Sequence, residues 1–159
     1  MILSSHQPAY LPWLGYFEKI LHSDQFLYLD TVQFEKDSFI NRNKIKAHSG
    51  EQWLTVPVRS QGHLEKNICD LEIDNTKNWS VKHWKSIQLK YIKAPFYKTY
   101  APFFEDTYNR QWELLTELNF YMLEWFLKIL KITTPIVKAK AHTFKGEKSD
   151  LVLDMCLQL

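Results

Sequence analysis

A short polar loop near the amino terminus carries the side chains best suited to chemistry. The apolar lead Ile2–Leu3 is followed by a cluster of polar residues: Ser4, Ser5, His6, Gln7 and Tyr10. An imidazole titrates near neutral pH, so His6 is a candidate general base. Pro8 and Pro12 stiffen the loop. The alternative is a rigid structural corner in which His6 is only hydrogen-bonded.

A carboxylate ends the next apolar run. The stretch Gln25–Thr31 reads QFLYLDT, which predicts a buried strand with Asp30 at its carboxyl end. If this strand runs parallel to the one before the loop, both ends meet at the same edge of the sheet, where α/β proteins keep their ligands. Asp30 is equally well explained as a turn cap.

Polar and basic side chains crowd a predicted strand further on: Asn41, Arg42, Asn43, Lys44 and Lys46. An Arg fork and Asn amides recognise the oxygens of phosphate, carboxylate or sugar groups, and a Lys adds a point charge. Asn is unfavourable in strands, so two of them beside Arg42 need a reason. A solvated edge strand protected by charge is the alternative.

A second basic loop lies near the carboxyl end. Lys145 and Lys148 flank Gly146, and Ser149 is the predicted N-cap of a last amphipathic helix. A lysine pair beside a helix amino terminus is suited to binding phosphate. The negative charge of Asp150 in the first helical turn works against such binding.

Hydrophobic periodicity predicts the elements that position these residues. We expect α/β architecture, a Rossmann-like three-layer sheet with parallel strands at Ile2–Ser5, Phe26–Asp30 and Ile136–Ala141. An inserted β-hairpin at one edge pairs 39–47 with 52–58 through the turn 48–51. A helical segment covers about 79–132, with separate helices at 78–94, 97–108 and 114–132. Residues 68–73 form a third short strand, and Arg59–Lys66 is a surface loop with an exposed His63.

Composition bounds the class of protein. At 159 residues the chain makes one domain over 1–159, and its 15% aromatic content suits a stacking core or a groove for flat or sugar-like ligands. The net charge is +2 with charges mixed along the chain, so no basic stripe indicates nucleic acid or a membrane. The two cysteines lack histidines at metal-ligand spacing. Without a signal peptide or spanning segment, we expect a cytoplasmic protein and no metal site.

Four blocks of this sequence together resemble the WbqC-like protein family: HQPAYLPWLGYFEKI, LDTVQFEKDSFINRNKIK, WLTVPV and KGEKSDLVLDMC. The resemblance covers essentially the whole chain. It implies a setting among genes for O-antigen and other surface polysaccharides, in a family whose members mostly have no established activity. Members are commonly longer, so we expect this chain to be shortened at its carboxyl end. The family motif falls on these positions: His6, Gln7, Pro8, Tyr10, Pro12, Gly15, Asp30, Gln33, Asn41, Arg42, Asn43, Lys145, Lys148 and Ser149.

Residue types and family context together imply a transferase acting on a sugar nucleotide, with amide formation on an amino sugar. His6 would be the base, with Gln7 and Asn43 supplying amide donors. Asp30 would orient His6 or bind a ribose hydroxyl. Arg42 and Lys44 would take the diphosphate. Tyr10, Gln33 and Asn41 complete the expected substrate site, and the second basic loop binds phosphate.

Other functions remain open from sequence. An ATP-dependent acyl or aminoacyl ligase would use the same basic residues to hold triphosphate with magnesium. A noncatalytic module would recognise a sugar nucleotide or a partner glycosyltransferase with the same loop. Balanced charge disfavours a nucleic-acid binder. The apolar last helix predicts a homodimer through that helix.

Overall fold

The computed structural model describes residues 1–48, 50–59 and 66–159. These ranges contain five strands and five α-helices, in the order β1 (Leu3–His6), α1 (Leu14–Leu21), β2 (Gln25–Tyr28), β3 (Arg42–Ala47), β4 (Gly50–Thr55), α2 (Trp79–Tyr91), α3 (Tyr97–Asn109), α4 (Leu115–Leu130), β5 (Ile136–Lys138) and α5 (Lys148–Gln158). Residues 60–65 of the loop predicted at Arg59–Lys66, including His63, lie outside the described residues.

Three short parallel strands form one sheet in the order β1-β2-β5. Tyr28 at the end of β2 pairs with His6 on one side and with Lys138 on the other. The three predicted parallel strands are therefore confirmed: β1 is shifted by one residue, and β2 and β5 are shorter than expected. His6 lies at the carboxyl edge of this sheet, the edge where open α/β sheets bind ligands.

Helices pack on both faces of the parallel sheet. Phe26 and Tyr28 join a buried cluster with residues of α1 and α4, including Phe17 and Leu123. Leu27 points to the opposite face because side chains alternate along a strand, and it packs with Met155 of α5 and with Ala139. The described residues thus form a mixed α/β fold, and a Rossmann-like assignment stays a prediction.

The hairpin does not extend the parallel sheet. β3 and β4 pair antiparallel as a sheet of their own, which corrects the expected position at the edge of the first sheet. The physical reason is burial, since Ile45 and Leu54 on one face of the hairpin pack into a core with residues of α2, α3 and α4. The opposite face is left toward solvent.

Most of the remaining elements agree with the sequence. The three helices predicted in 79–132 are confirmed, because α2, α3 and α4 all fall within two or three residues of their expected bounds. The third strand predicted at 68–73 is wrong: Ile68–Asp70 forms a 3-10 turn, and only single bridges join Ile73 to Val58 and Glu72 to Leu114. The predicted N-cap Ser149 is also wrong, since α5 begins at Lys148 with Glu147 at the N-cap position.

Candidate functional site

His6 is held as a neutral imidazole at the end of β1. Its Nδ1 lies 2.9 Å from the backbone carbonyl oxygen of Gln7, to which the Tyr16 hydroxyl also donates at 3.2 Å. Since a carbonyl oxygen only accepts, Nδ1 carries the ring proton and Nε2 keeps its lone pair. Burial lowers the pKa of His6, with the Gln7 carbonyl partly opposing that shift. Within the described ranges no group hydrogen-bonds Nε2, so this nitrogen can act as a base.

An exposed row of aromatic rings extends from His6 toward the hairpin. Trp13 lies 5.5 Å from the His6 ring, Phe39 lies 5.5 Å from Trp13, and Trp53 lies 6.0 Å from Phe39, all between ring centroids. We call Trp13, Phe39 and Trp53 the aromatic row. Each of the three side chains is 42–46% exposed, although rings of this size usually gain most by burial. The neighbouring rings are tilted by 38–52° to one another, so the row is an exposed apolar surface of angled rings beside the histidine.

Two cations lie at the far end of the aromatic row. The guanidinium carbon of Arg42 is 4.5 Å from the Trp53 ring centroid, and Nζ of Lys44 is 5.0 Å from it. Arg42 also donates to the Asp37 carboxylate at 2.8 Å, and Lys44 forms an ion pair with Glu51. Cation–π contact and ion pairing fix both side chains where an anionic group over the row could reach them.

The two-residue period of the hairpin creates this surface. Arg42 and Lys44 lie on the solvent face of β3, and Lys44 pairs directly with Trp53 of β4. The side chains of Asn41 and Asn43, by contrast, donate hydrogen bonds to backbone oxygens of the protein. Asn43 donates its amide to the backbone oxygen of Leu11 at 2.6 Å, which ties the first loop to the hairpin. Asn41 is buried and donates to the Val56 oxygen at 2.9 Å. These bonds explain two Asn residues beside Arg42.

Tyr10 and Gln7 are placed differently from expectation. Tyr10 is fully buried, and its hydroxyl bonds His83 and Tyr108 in the core rather than facing the loop surface. It cannot contact a ligand from solvent in this position, so we leave it out of the proposed site. Gln7 contributes its backbone carbonyl, which orients His6. A side-chain role for the partly buried Gln7 stays a prediction.

Asp30 is turned away from His6. It is 2% exposed, and its carboxylate accepts from the Lys140 backbone N–H at 3.2 Å and from the Thr116 hydroxyl at 3.3 Å. Its own carbonyl accepts from the backbone N–H of Cys69 at 2.8 Å. Asp30 therefore joins the chain after β5 to the first turn of α4. The expected orientation of His6 by Asp30 does not occur in this arrangement.

The remaining predicted residues lie on other segments of the chain. Gln33 is exposed and forms an isolated bridge with Asn67. Lys145, Lys148 and Ser149 are exposed around the start of α5, where the Lys145 backbone N–H donates to Asp154. A phosphate site at this loop stays a prediction.

Sequence reasoning missed the aromatic row. The high aromatic content predicted either a stacking core or a groove for flat ligands, and it did not indicate which rings are exposed. A usable signal was present for Trp53, since a correct hairpin register places it opposite Lys44. Trp13 and Phe39 carried no such signal, because they belong to a loop and to the segment before β3.

Two kinds of feature are absent from the described part of the chain. No helix there combines the length and apolarity needed to cross a membrane. No group of three or more His, Cys, Asp or Glu side chains there is arranged to hold a metal ion.

The fold and site define a mixed α/β protein with a neutral histidine and an exposed aromatic row at the carboxyl edge of a small parallel sheet. A model of the WbqC-like protein family matches residues 7–159, and the chain belongs to that family. A similar curated protein is "Uncharacterized protein Rv1507c" of Mycobacterium tuberculosis (strain ATCC 25618 / H37Rv), 31% identical over 153 residues. The match covers 96% of this chain but only 66% of that relative. No solved structure gives a significant match.

Proposed function

We propose that this protein is a transferase that acts on a sugar nucleotide in surface-polysaccharide assembly and forms an amide on an amino sugar. The observation that carries the proposal is the neutral His6, with Nε2 free among the described residues and the aromatic row beside it. A flat base or sugar ring fits an exposed aromatic surface, and a diphosphate fits the Arg42 and Lys44 pair at its end.

His6 would act as the general base of acyl transfer. The neutral amine of the sugar attacks the acyl carbon of an activated donor, forming the C–N bond while Nε2 of His6 takes the N–H proton. The bond between the acyl carbon and its leaving group then breaks, and His6 returns the proton to that leaving group. A positioned base of this kind contributes about a hundred- to ten-thousand-fold in rate. The Nδ1–H bond to the Gln7 carbonyl keeps the ring in the required tautomer.

One observation favours a second candidate, a noncatalytic sugar-nucleotide-binding module. In the described ranges His6 has no carboxylate partner to stabilise an imidazolium, because Asp30 bonds Thr116 and Lys140. A binding module needs only the aromatic row and its cations. An ATP-dependent ligase is the further alternative, which the same binding experiment addresses.

Ligand binding is tested first, by thermal shift against magnesium-ATP, UDP- and dTDP-amino sugars, and coenzyme A thioesters. A ligand that binds only the folded state raises the melting temperature. We expect a shift from an amino-sugar nucleotide that Arg42→Ala reduces by more than half. Arg59→Ala is the matched control, because Arg59 is also an exposed arginine in an ion pair, with Glu72 at 3.0 Å. Equal shifts in both variants would remove Arg42 from the site.

Catalysis is tested with the nucleotide and donor that bind. His6→Gln should lower the rate of amide formation at least a hundredfold with unchanged nucleotide affinity. His22→Gln is the control, since His22 is an exposed histidine at the end of α1. Binding without turnover in the unaltered protein would favour the binding module. Turnover retained by His6→Gln within a few-fold would remove His6 from the chemistry.

The expected homodimer and the cytoplasmic location belong to the same proposal. Apolar side chains on α5 support self-association, because Val152, Leu153 and Leu157 are 57–76% exposed. Light scattering should give twice the chain mass, reduced to one chain by Leu153→Ser with Leu157→Ser. A monomer at high concentration would refute this interface.

A further inference from the structure

The positive charge of this chain is concentrated in one segment. Residues 75–104 contain six lysines and no Asp, Glu or Arg, although the whole chain has a net charge of only +2. This corrects the expectation that the charges are evenly mixed. Among the described residues only one of these lysines forms an ion pair, Lys77 with Asp74 at 3.8 Å. The other five are Lys82, Lys85, Lys90, Lys93 and Lys98.

Large apolar side chains are exposed in the same segment, where α2 turns into α3. Leu89 is 77% exposed, Ile92 61% and Phe96 67%. We call residues 89–100 the α2–α3 corner. Scattered exposed hydrophobic residues are ordinary, but several together at one turn mark an interaction surface.

Lys90 and Lys93 share one surface with Leu89, Phe96 and the end of β3. A cavity of about 320 Å³ lies between the corner and β3, lined by Lys44, Ile45, Phe96 and Tyr100 among others. A second depression beside it is lined by Lys46, Leu89, Lys90 and Lys93 among others. The two depressions meet at Tyr91 and Ala94. The Lys46 backbone N–H donates to the Tyr91 hydroxyl at 3.1 Å, which holds the hairpin against α2.

We propose that the α2–α3 corner docks on an anionic lipid surface. Apolar side chains surrounded by lysines are the composition of peripheral membrane sites, where the apolar groups enter the headgroup boundary and the lysines meet anionic lipids. Lys44, which lines the cavity, is paired with Glu51. The proposal does not rest on the activity proposed for His6, because the corner residues 89–100 are no part of that site and only Lys44 borders both.

The composition favours lipid over nucleic acid. The basic residues of the segment are all lysines, which bind as point charges, whereas base recognition and bidentate phosphate recognition favour arginine. Two of the three most exposed side chains of the corner, Leu89 and Ile92, are aliphatic, so they enter an acyl boundary but cannot stack on a base, and Phe96 is the third.

The test is vesicle co-sedimentation of the purified chain at physiological salt. Vesicles of phosphatidylcholine alone are compared with vesicles containing roughly 30% phosphatidylglycerol, an anionic lipid. We expect binding to the anionic vesicles at least tenfold stronger than to the neutral ones. Raised salt should weaken it, because a surface potential is screened within a Debye length.

Two variants and a matched control locate the surface. Lys90→Gln with Lys93→Gln should weaken binding about twentyfold, since each lysine near an anionic surface contributes about fivefold. Leu89→Ser should also weaken it and leave the melting temperature unchanged, because the side chain is largely exposed. The control, Lys36→Gln with Lys128→Gln, removes the same charge from two exposed lysines and should stay within twofold.

Several results would overturn the proposal. Equal binding to both vesicle types, or corner variants that bind like the control, would refute an anionic lipid site at the corner. Retention of single-stranded RNA, lost in the Lys90 and Lys93 variant, without vesicle binding would assign the surface to nucleic acid. A dimer that Leu89→Ser dissociates, without vesicle binding, would assign it to a second copy of the chain.

Discussion

Replacement of Tyr10 by Phe tests the buried hydrogen bonds that join the first loop to α2 and α3. The Tyr10 hydroxyl lies 2.8 Å from Nδ1 of His83 and 2.5 Å from the Tyr108 hydroxyl, and all three side chains are at most 5% exposed. Burial lowers the pKa of His83 to about 4, and a hydrogen bond to the Thr55 backbone partly opposes that shift. Since this bond uses the ring N–H, Nδ1 is the acceptor and Tyr10 is its donor.

The cost of Tyr10→Phe follows from the two partners it leaves behind. The ring is kept, so the change creates little cavity, but His83 Nδ1 and the Tyr108 hydroxyl both lose a partner in a dry environment. A buried polar group left unpaired costs about 1–3 kcal/mol. We therefore expect the free energy of unfolding to fall by about 2–6 kcal/mol. Tyr108→Phe leaves the Tyr10–His83 bond intact and should cost only about 1 kcal/mol.

Urea unfolding followed by tryptophan fluorescence measures both variants. Trp79 reports on the network because its ring centroid is 5.3 Å from that of His83 and 6.1 Å from that of Tyr108. Nucleotide affinity should be unchanged in Tyr10→Phe, since Tyr10 is buried. A loss below about 0.5 kcal/mol, or Tyr108→Phe costing as much as Tyr10→Phe, would refute the hydrogen-bond order.

Three further predictions concern single residues. Because the pKa of His83 is about 4 in the folded chain and 6.5 ordinarily, the unfolded state takes up a proton first as the pH falls. Stability should decline by roughly 3 kcal/mol between pH 6.5 and pH 4, and the decline should largely vanish in His83→Gln on urea titration at each pH. A Cβ on Gly15 would lie 3.2 Å from the indole nitrogen of Trp13. Gly15→Ala should therefore displace Trp13 and weaken nucleotide binding several-fold in a titration, with stability within about 1 kcal/mol; unchanged affinity would count against the aromatic row. Asp30→Ala leaves the Lys140 N–H unpaired and should cost about 2 kcal/mol in urea unfolding, with nucleotide affinity retained; a specific loss of affinity at full stability would restore Asp30 to the site.

The parts of the fold that could be predicted are those set by the local pattern of apolar and polar residues. The run QFLY forms β2, because a short apolar stretch bounded by turn residues has few other stable states. The first strand is LSSH, in which only Leu3 is apolar, and it lies one residue later than the pattern predicted. The period of α2 and α4 was visible for the same reason, since one face of each helix meets the core. Arg42 and Lys44 lie on one face of β3 because side chains at alternate strand positions share a face, and their role in binding a diphosphate stays a prediction.

Positions decided by long-range packing were not visible in the sequence. Tyr10 reads as a loop residue beside His6, yet it lies in the core because α2 and α3 bring His83 and Tyr108 to it from more than 70 positions away. Asn43 reads as a ligand-binding amide, yet the loop backbone at Leu11 takes its hydrogen bond. In both cases a buried polar group found its partner within the protein, which the residue type alone cannot indicate.

The sequence by itself determined the family, the histidine at the end of the first strand and, apart from the strand wrongly predicted at 68–73, the order of the elements. Only the tertiary structure decided that Asp30 bonds Thr116 rather than His6, and that Trp13, Phe39 and Trp53 form a continuous exposed row. The physical reason is that strand and helix periodicities are local properties of the chain. The partner of a buried carboxylate and the neighbour of an exposed ring depend on how distant segments pack.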